Sequence, residues 1–244
     1  MTPLLQAARS APWTTISHLS GDGDVILLAP HPDDETLGCG GAIAALCEAG
    51  QKVQVVVVTD GCRSHPSSKL YPPERLRQVR EAEVQKALSI LTGGRGPAAI
   101  MLNYPDTATP EDDAGVAAAA ERIIPMISRT TTALWASWGQ DPHRDHESVA
   151  RIAARIATLR PGLVYWSYPI WGRFLEQPPA IGSDQMVKFD TQTWQKRKAE
   201  AVAAHASQMT GLIPDDPAGF RMSDCLQQHF ITTPELFLRE AIKT

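Results

Sequence analysis

Val25-Ile26-Leu27-Leu28-Ala29-Pro30-His31-Pro32-Asp33-Asp34-Glu35 joins an unbroken apolar run to one imidazole and three carboxylates. A run so uniformly apolar suits a strand of a parallel sheet that is covered on both faces, and ligands of open α/β sheets bind beyond the carboxyl ends of such strands. Gathering these polar groups in one loop is costly unless a cation or a reaction uses them. The loop is therefore the first candidate for an active site.

A second stretch has the same grammar. Thr132-Ala133-Leu134-Trp135-Ala136-Ser137-Trp138 leads into Asp141-Pro142-His143-Arg144-Asp145-His146. Each is an extended hydrophobic segment, then a polar loop with proline, then a helix, and in a doubly wound fold both loops open on one edge of the sheet. Two groups far apart in sequence would meet there. Short aliphatic or β-branched runs predict further strands, giving a set at 25–29, 53–59, 99–102, 133–137 and 163–167. Apolar residues at helical spacing predict helices over 73–91 and 146–159, with others at about 193–205 and from Asp113 to about Arg129, the last kinked at Pro125. The expected fold class is α/β, a three-layer Rossmann-like, mostly parallel sheet flanked by helices. It is expected to form one domain over 1–244, with a motif-bearing core at about 22–168 and a proline-rich, substrate-shaping segment at about 169–244.

With 244 residues and 43% hydrophobic content the chain can bury one sizeable core. Its net charge of -4 and the lack of any Lys/Arg block argue against nucleic acid or an anionic membrane surface, and a small molecule is the expected partner. No apolar run approaches the ~18 residues that cross a bilayer. The first twenty residues lack a sustained apolar core behind a basic start, and Cys39, Cys47, Cys62 and Cys225 form no CxxC pair, so reduced thiols in a cytoplasmic protein are expected. The oligomeric state is not legible.

Two histidines with a carboxylate and an open position are a usual way to hold a catalytic zinc ion. His31, Asp34 and His146 offer that set. Asp33, beside the metal and not on it, is then placed to act as general base towards a water whose pKa zinc lowers to about 7. The spacing of His143 and Asp145 suggests that Asp145 orients the His143 imidazole, which, protonated, would face a developing oxyanion. The chemistry expected from this set is hydrolysis of an amide. The plainer alternative, that Asp and Glu simply cap a helix start, is compatible with ligation.

These residues resemble the LmbE-like or PIG-L-like zinc de-N-acetylases over about 25–167, with Pro30-His31-Pro32-Asp33-Asp34-Glu35 for the AHPDDE-type loop and His143-Arg144-Asp145-His146 for the HPDH-type loop. Only Pro30 and Arg144 depart from those patterns. The resemblance implies a metal-dependent N-deacetylase that acts on an N-acetylated sugar or glycoconjugate, with Zn2+ as cofactor and Fe2+ as the alternative divalent ion. It implies the same ligands, base and acid partner, and adds Arg80, in Arg80-Glu81-Ala82-Glu83, and Asp106 as substrate contacts. Lys198-Ala199 and His205-Ala206-Ser207-Gln208 match a later pattern of the family, in which His205 is read as structural.

Four rival readings remain. Two histidines and a carboxylate also form the facial triad of iron(II) oxygenases, but the alternation of strand and helix is wrong for their all-β scaffolds and leaves Asp33 without a role. Gly38-Cys39-Gly40-Gly41 suggests a nucleotide, yet the acidic motif occupies the turn where a pyrophosphate would sit, so close helix packing is the better reading. An amidase for a thiol-sugar conjugate and a non-catalytic carbohydrate-binding relative complete the set. Trp135 is read as core, while Trp171 is open between core and a sugar-stacking surface.

Overall fold

The computed structural model describes residues 1–177 and 185–241. Helix α1 (Pro3–Ser10), strand β1 (Trp13–Thr14) and helix α2 (Ile16–Ser20) precede the opening apolar run, which forms β2 (Asp24–Ala29). There follow α3 (Asp34–Glu48), β3 (Val53–Thr59), α4 (Pro73–Thr92), β4 (Ile100–Tyr104), α5 (Asp113–Ile123), β5 (Thr131–Ser137), α6 (Arg144–Leu159) and β6 (Val164–Tyr168). The rest of the described chain contributes β7 (Met186–Phe189), α7 (Gln195–Ala204), α8 (Ala206–Met209), α9 (Asp224–Thr232) and β8 (Glu235–Arg239).

Among the described residues the sheet order is β1-β7-β8-β6-β5-β2-β3-β4. The strands from β4 to β6 are parallel, and β8 runs antiparallel to both of its neighbours. Strand β2 is buried on both faces, and its alternation divides it between two cores. Val25, Leu27 and Ala29 pack with α3, α4 and α7, while Ile26 and Leu28 pack with α5 and α6. This is the expected three-layer, mostly parallel architecture. A smaller cluster seats α1 on β7 and β8 through Leu4, Ala8, Met186, Leu236 and Leu238.

Strand order reverses direction at β2, since β3 lies on one side of it and β5 on the other. That is a topological switch point, where loops from adjacent strands diverge and leave a crevice. The loops after β2 and β5 are the two polar stretches. The expected kinked helix ending near Arg129 instead stops at Ile123, and Pro125, which has no N–H to donate, sits in the 3₁₀ turn Ile124–Met126.

The glycines of α3 serve close packing. A Cβ on Gly38 would lie 2.4 Å from the Tyr168 ring, and one on Gly41 2.5 Å from Thr191. Tyr168 cannot retreat freely, because its hydroxyl donates to the Leu28 carbonyl at 2.9 Å. Gly38→Ala should therefore cost about 1–3 kcal/mol by overpacking, read as a lower denaturant midpoint. An unchanged midpoint would show that the tyrosine has room to move.

The segment after β6 is locked to the same helix. Lys198 of α7, fully buried, pairs with Glu235 of β8 at 2.7 Å and donates to the Leu37 carbonyl at 2.9 Å. Glu235 also accepts the Gly41 and Ala42 N–H groups. Among the described residues no helix is long and apolar enough to cross a membrane.

Candidate metal and catalytic site

His31 comes from the loop after β2, Asp34 is the first residue of α3, and His146 lies in the first turn of α6. Their polar atoms converge on one carboxylate oxygen: Asp34 Oδ2 lies 3.2 Å from His31 Nδ1 and 3.3 Å from His146 Nε2. The other nitrogen of each ring is already spent on a different carboxylate. His31 Nε2 is 3.0 Å from Asp145 Oδ2, and His146 Nδ1 is 2.9 Å from Asp141 Oδ2. A carboxylate behind a histidine fixes its tautomer and leaves the opposite lone pair for a metal.

Buried His146 Nε2 has no hydrogen-bond partner among the described residues. An orphaned lone pair at a buried position calls for an occupant, and the set of two imidazoles and one carboxylate suits zinc. The residues therefore fit the metal that the sequence implies. Charge balance points the same way. Burial opposes the charged ring of His146, yet Asp34 and Asp141 outweigh it and raise its pKa to about 9. Burial likewise opposes a charged His31, but Asp106, Asp145 and Asp34 raise its pKa well above the usual value. Burial works against ionised Asp34 too, and the His146 and His31 rings overcome it and hold its pKa far below the carboxylate range.

The role expected for Asp145 needs correction. Its carboxylate orients His31, not His143, and it is itself held by the Thr107 N–H at 2.8 Å and the Thr109 hydroxyl at 2.7 Å. His143 caps α6, and its Nδ1 accepts the Asp145 backbone N–H at 3.2 Å. That hydrogen bond leaves the ring proton on Nε2. Burial, with His31 and His146 close by, lowers the His143 pKa, and an Nδ1 that accepts a backbone N–H fits a neutral ring donating through Nε2–H, where the sequence reading expects an imidazolium.

Asp33 stands at the turn between loop and helix with φ of 145°, a backbone region that costs about 1–3 kcal/mol for a residue with a side chain. The conformation is held from both sides: Glu35 Oε2 accepts the Asp33 N–H at 3.0 Å, and the Asp33 carbonyl accepts from Thr36 and Leu37. Burial, reinforced by Asp34, pushes the Asp33 carboxyl up to about 7. A cation beside Asp34 would pull it back down.

Asp33 and Asp34 line a pocket of about 250 Å³ together with His31, His143, Arg80 and Asp106. Arg80, 2% exposed, reaches it from α4 and donates to Ser64 Oγ at 2.9 Å. Asp106 Oδ1 lies 3.5 Å from His31 Nε2. All eight residues singled out from sequence thus gather at the switch point, with Asp145 and His146 behind the pocket wall. A larger groove of about 800 Å³ between α6 and Glu240 has no such convergence of groups.

Asp141, Gln208 and Phe220 were not foreseen as site residues. Asp141 stands before a proline, where an aspartate reads as a turn former, yet its carboxylate accepts His146 Nδ1–H and the N–H groups of Ile170, Trp171 and Gly172. The later family pattern clamps the first loop: His205 bonds Glu35 at 3.2 Å, Ser207 bonds Glu83, and Gln208 donates to the Pro32 carbonyl. His205 is wholly buried, in keeping with a structural role. Asp141→Asn places an amide against the Gly172 N–H or the His146 ring, so metal affinity should fall about 10- to 100-fold in a competition titration with a chelator. Parent-like affinity would show that His146 needs no such support.

The fold is shared with several solved structures. The N,N'-diacetylchitobiose deacetylase from Pyrococcus horikoshii is 19% identical with a TM-score of 0.64, over 88% of this chain and 76% of that one. The A40926 pseudoaglycone deacetylase gives 19% and 0.64, over 89% and 96%. GalB, the 4-carboxy-2-hydroxymuconate hydratase from Pseudomonas putida KT2440, gives 17% and 0.61, over 85% and 82%. A search of curated proteins finds no match. The profile of the family described as PIG-L: GlcNAc-PI de-N-acetylase matches residues 26–157, both polar loops included. That match covers more than half of the chain, which therefore belongs to the PIG-L family.

Proposed function

We propose that the chain hydrolyses the N-acetyl group of an amino sugar or of a small molecule that carries one, using a divalent metal held by His31, Asp34 and His146, with zinc favoured by the ligand chemistry. One observation carries the proposal: two buried imidazoles, each braced through one nitrogen by its own carboxylate, turn the other nitrogen towards the same Asp34 oxygen beside the Asp33 carboxyl. The family and the two deacetylases of the same fold support it. A hydratase shares the fold as well, so fold alone leaves the reaction open.

When bound, the metal would acidify water and polarise the amide carbonyl. Asp33, inside the pocket and free of ligation in this assignment, takes a proton from the attacking water and returns it to the leaving nitrogen. His143 donates its Nε2–H to the oxygen on which charge develops. Oxygen from water is added to the acyl carbon, the C–N bond breaks, and acetate and a free amine leave. Arg80 and Asp106 line the pocket, and in this reading they hold polar groups of the sugar. A cytoplasmic setting, in line with four free thiols, belongs to the same proposal.

Zinc-loaded protein incubated with N-acetylglucosamine, N-acetylated disaccharides and thiol glycosides should release acetate above a metal-free control. Metal-loaded protein that bound these sugars and released none would favour a carbohydrate-binding relative. Metal content and dioxygen uptake decide between zinc hydrolysis and iron(II) oxygenation.

A further inference from the structure

A second hollow lies beside the catalytic pocket. His143 and Trp171 line both, and the remaining described lining of the second, about 350 Å³ in volume, is Pro142, Phe174 and Leu175. Apart from the His143 ring every side chain there is apolar. The polar groups of the site, His31, Asp33, Arg80 and Asp106, all lie on the first side.

The apolar wall is displayed by a rigid support. Trp171–Phe174 is a 3₁₀ turn fixed from behind: Asp141 accepts the N–H groups of Ile170, Trp171 and Gly172. Gly172 lies so close to its neighbours that a Cβ would come within 2.5 Å of the Trp138 ring. Arg173, 1% exposed, donates to the carbonyls of Pro169 and Pro234. With Gly172 and Arg173 turned inward, Trp171, Phe174 and Leu175 remain partly exposed. Edge contacts to Phe220 at 5.9 Å and Phe230 at 5.8 Å set the Trp171 and Phe174 rings. The carboxylate that braces the ligand His146 is thus the one that positions this wall, so the amide-cleaving centre and the apolar surface are held in a fixed relation.

We infer that the hollow takes an apolar aryl or alkyl group of the substrate, which makes the substrate an amphipathic N-acyl amino sugar and not a wholly polar saccharide. This rests on the proposed deacetylation for where the amide lies. A preorganised apolar surface gains affinity from each methylene it removes from water, while a polar sugar ring would lose hydration there. The apolar group can be an aglycone or a lengthened N-acyl chain, and both present the same chemistry to Phe174 and Leu175.

Equilibrium binding separates the two sources. Calorimetry on zinc-loaded Asp33→Asn protein, in which the amide should survive, is run with alkyl N-acetylglucosaminides from methyl to hexyl and with N-acylglucosamines from acetyl to hexanoyl. Affinity should rise about fourfold per methylene over the first few carbons of one series, which identifies the source. A flat response in both series overturns the inference. Leu175→Asn, at a partly exposed position, should reduce the rise per methylene, with Phe174→Ser as a second variant. A slope unchanged in a variant that melts like its parent would also overturn it. Binding needs no turnover: a rising series in which wild-type protein releases neither acetate nor the longer carboxylate of the N-acyl series refutes the hydrolysis and keeps the apolar subsite, while release with two flat series does the reverse.

Discussion

Asp33→Asn should retain the metal and lower kcat by about 10²- to 10⁴-fold, the range over which a positioned general base contributes. The substitution is nearly isosteric, and asparagine tolerates positive φ about as well as aspartate, so the strained turn is kept. The hydrogen bond from its N–H to Glu35 is a backbone contact and survives as well. Only the capacity to take a proton is removed. Stability supplies a second measurement in metal-free protein. Burial raises the folded pKa of Asp33 to about 7 against an ordinary value of 3.8, so the folded state holds this proton where the unfolded state has lost it. Stability from this group therefore falls as pH rises between those values, and the charged form is a cost above them. The asparagine variant should accordingly be more stable than its parent at pH 8, and the advantage should vanish near pH 4. If the variant kept both metal and full activity, the proton would have to go to another group, and His143 would be the next candidate for the base.

The candidate site was legible because its residues are clustered in sequence at the ends of two uniformly apolar strands. Strands β2, β3, β5 and β6 announce themselves by burial on both faces, and the helices between them by apolar spacing. The second half hides its strands for a physical reason. In β8 the residue that opens the strand, Glu235, is a buried acid neutralised by Lys198, and no alternation rule expects a charge there. Strand β7 has four residues, and β1 two, too short for periodicity to register. Asp141 was missed because its role lies in what its carboxylate accepts from residues some thirty positions further on, Ile170 to Gly172. Asp145 was found but given the wrong histidine, since adjacency in sequence favoured His143. The helical start turns the Asp145 side chain towards His31 and offers His143 only its backbone N–H.

His146→Ala is expected to abolish both metal retention and turnover. Its Nε2 carries the lone pair that no group among the described residues satisfies, and the residue is fully buried, so solvent cannot easily substitute from that side. Metal per chain after dialysis should drop to about a tenth of the parent value or less, since even outer supports of a metal ligand are worth 10- to 100-fold in affinity. The backbone should persist, because Ser137 Oγ donates to the His146 carbonyl and the other three donors to Asp141 are backbone groups. Beside Asp33→Asn the result separates two jobs: one variant keeps the ion and loses the rate, the other loses both. The outcome that would defeat this assignment is specific. His31, Asp106 and Asp145 bring ligand atoms within 4.8 Å of one another, without His146. If His146→Ala retained its metal, that second set would hold the ion, and Asp106→Asn would then be the substitution that releases it. Under the assignment made here Asp106→Asn keeps the metal and weakens only substrate binding, so metal content in these two variants decides between the sites.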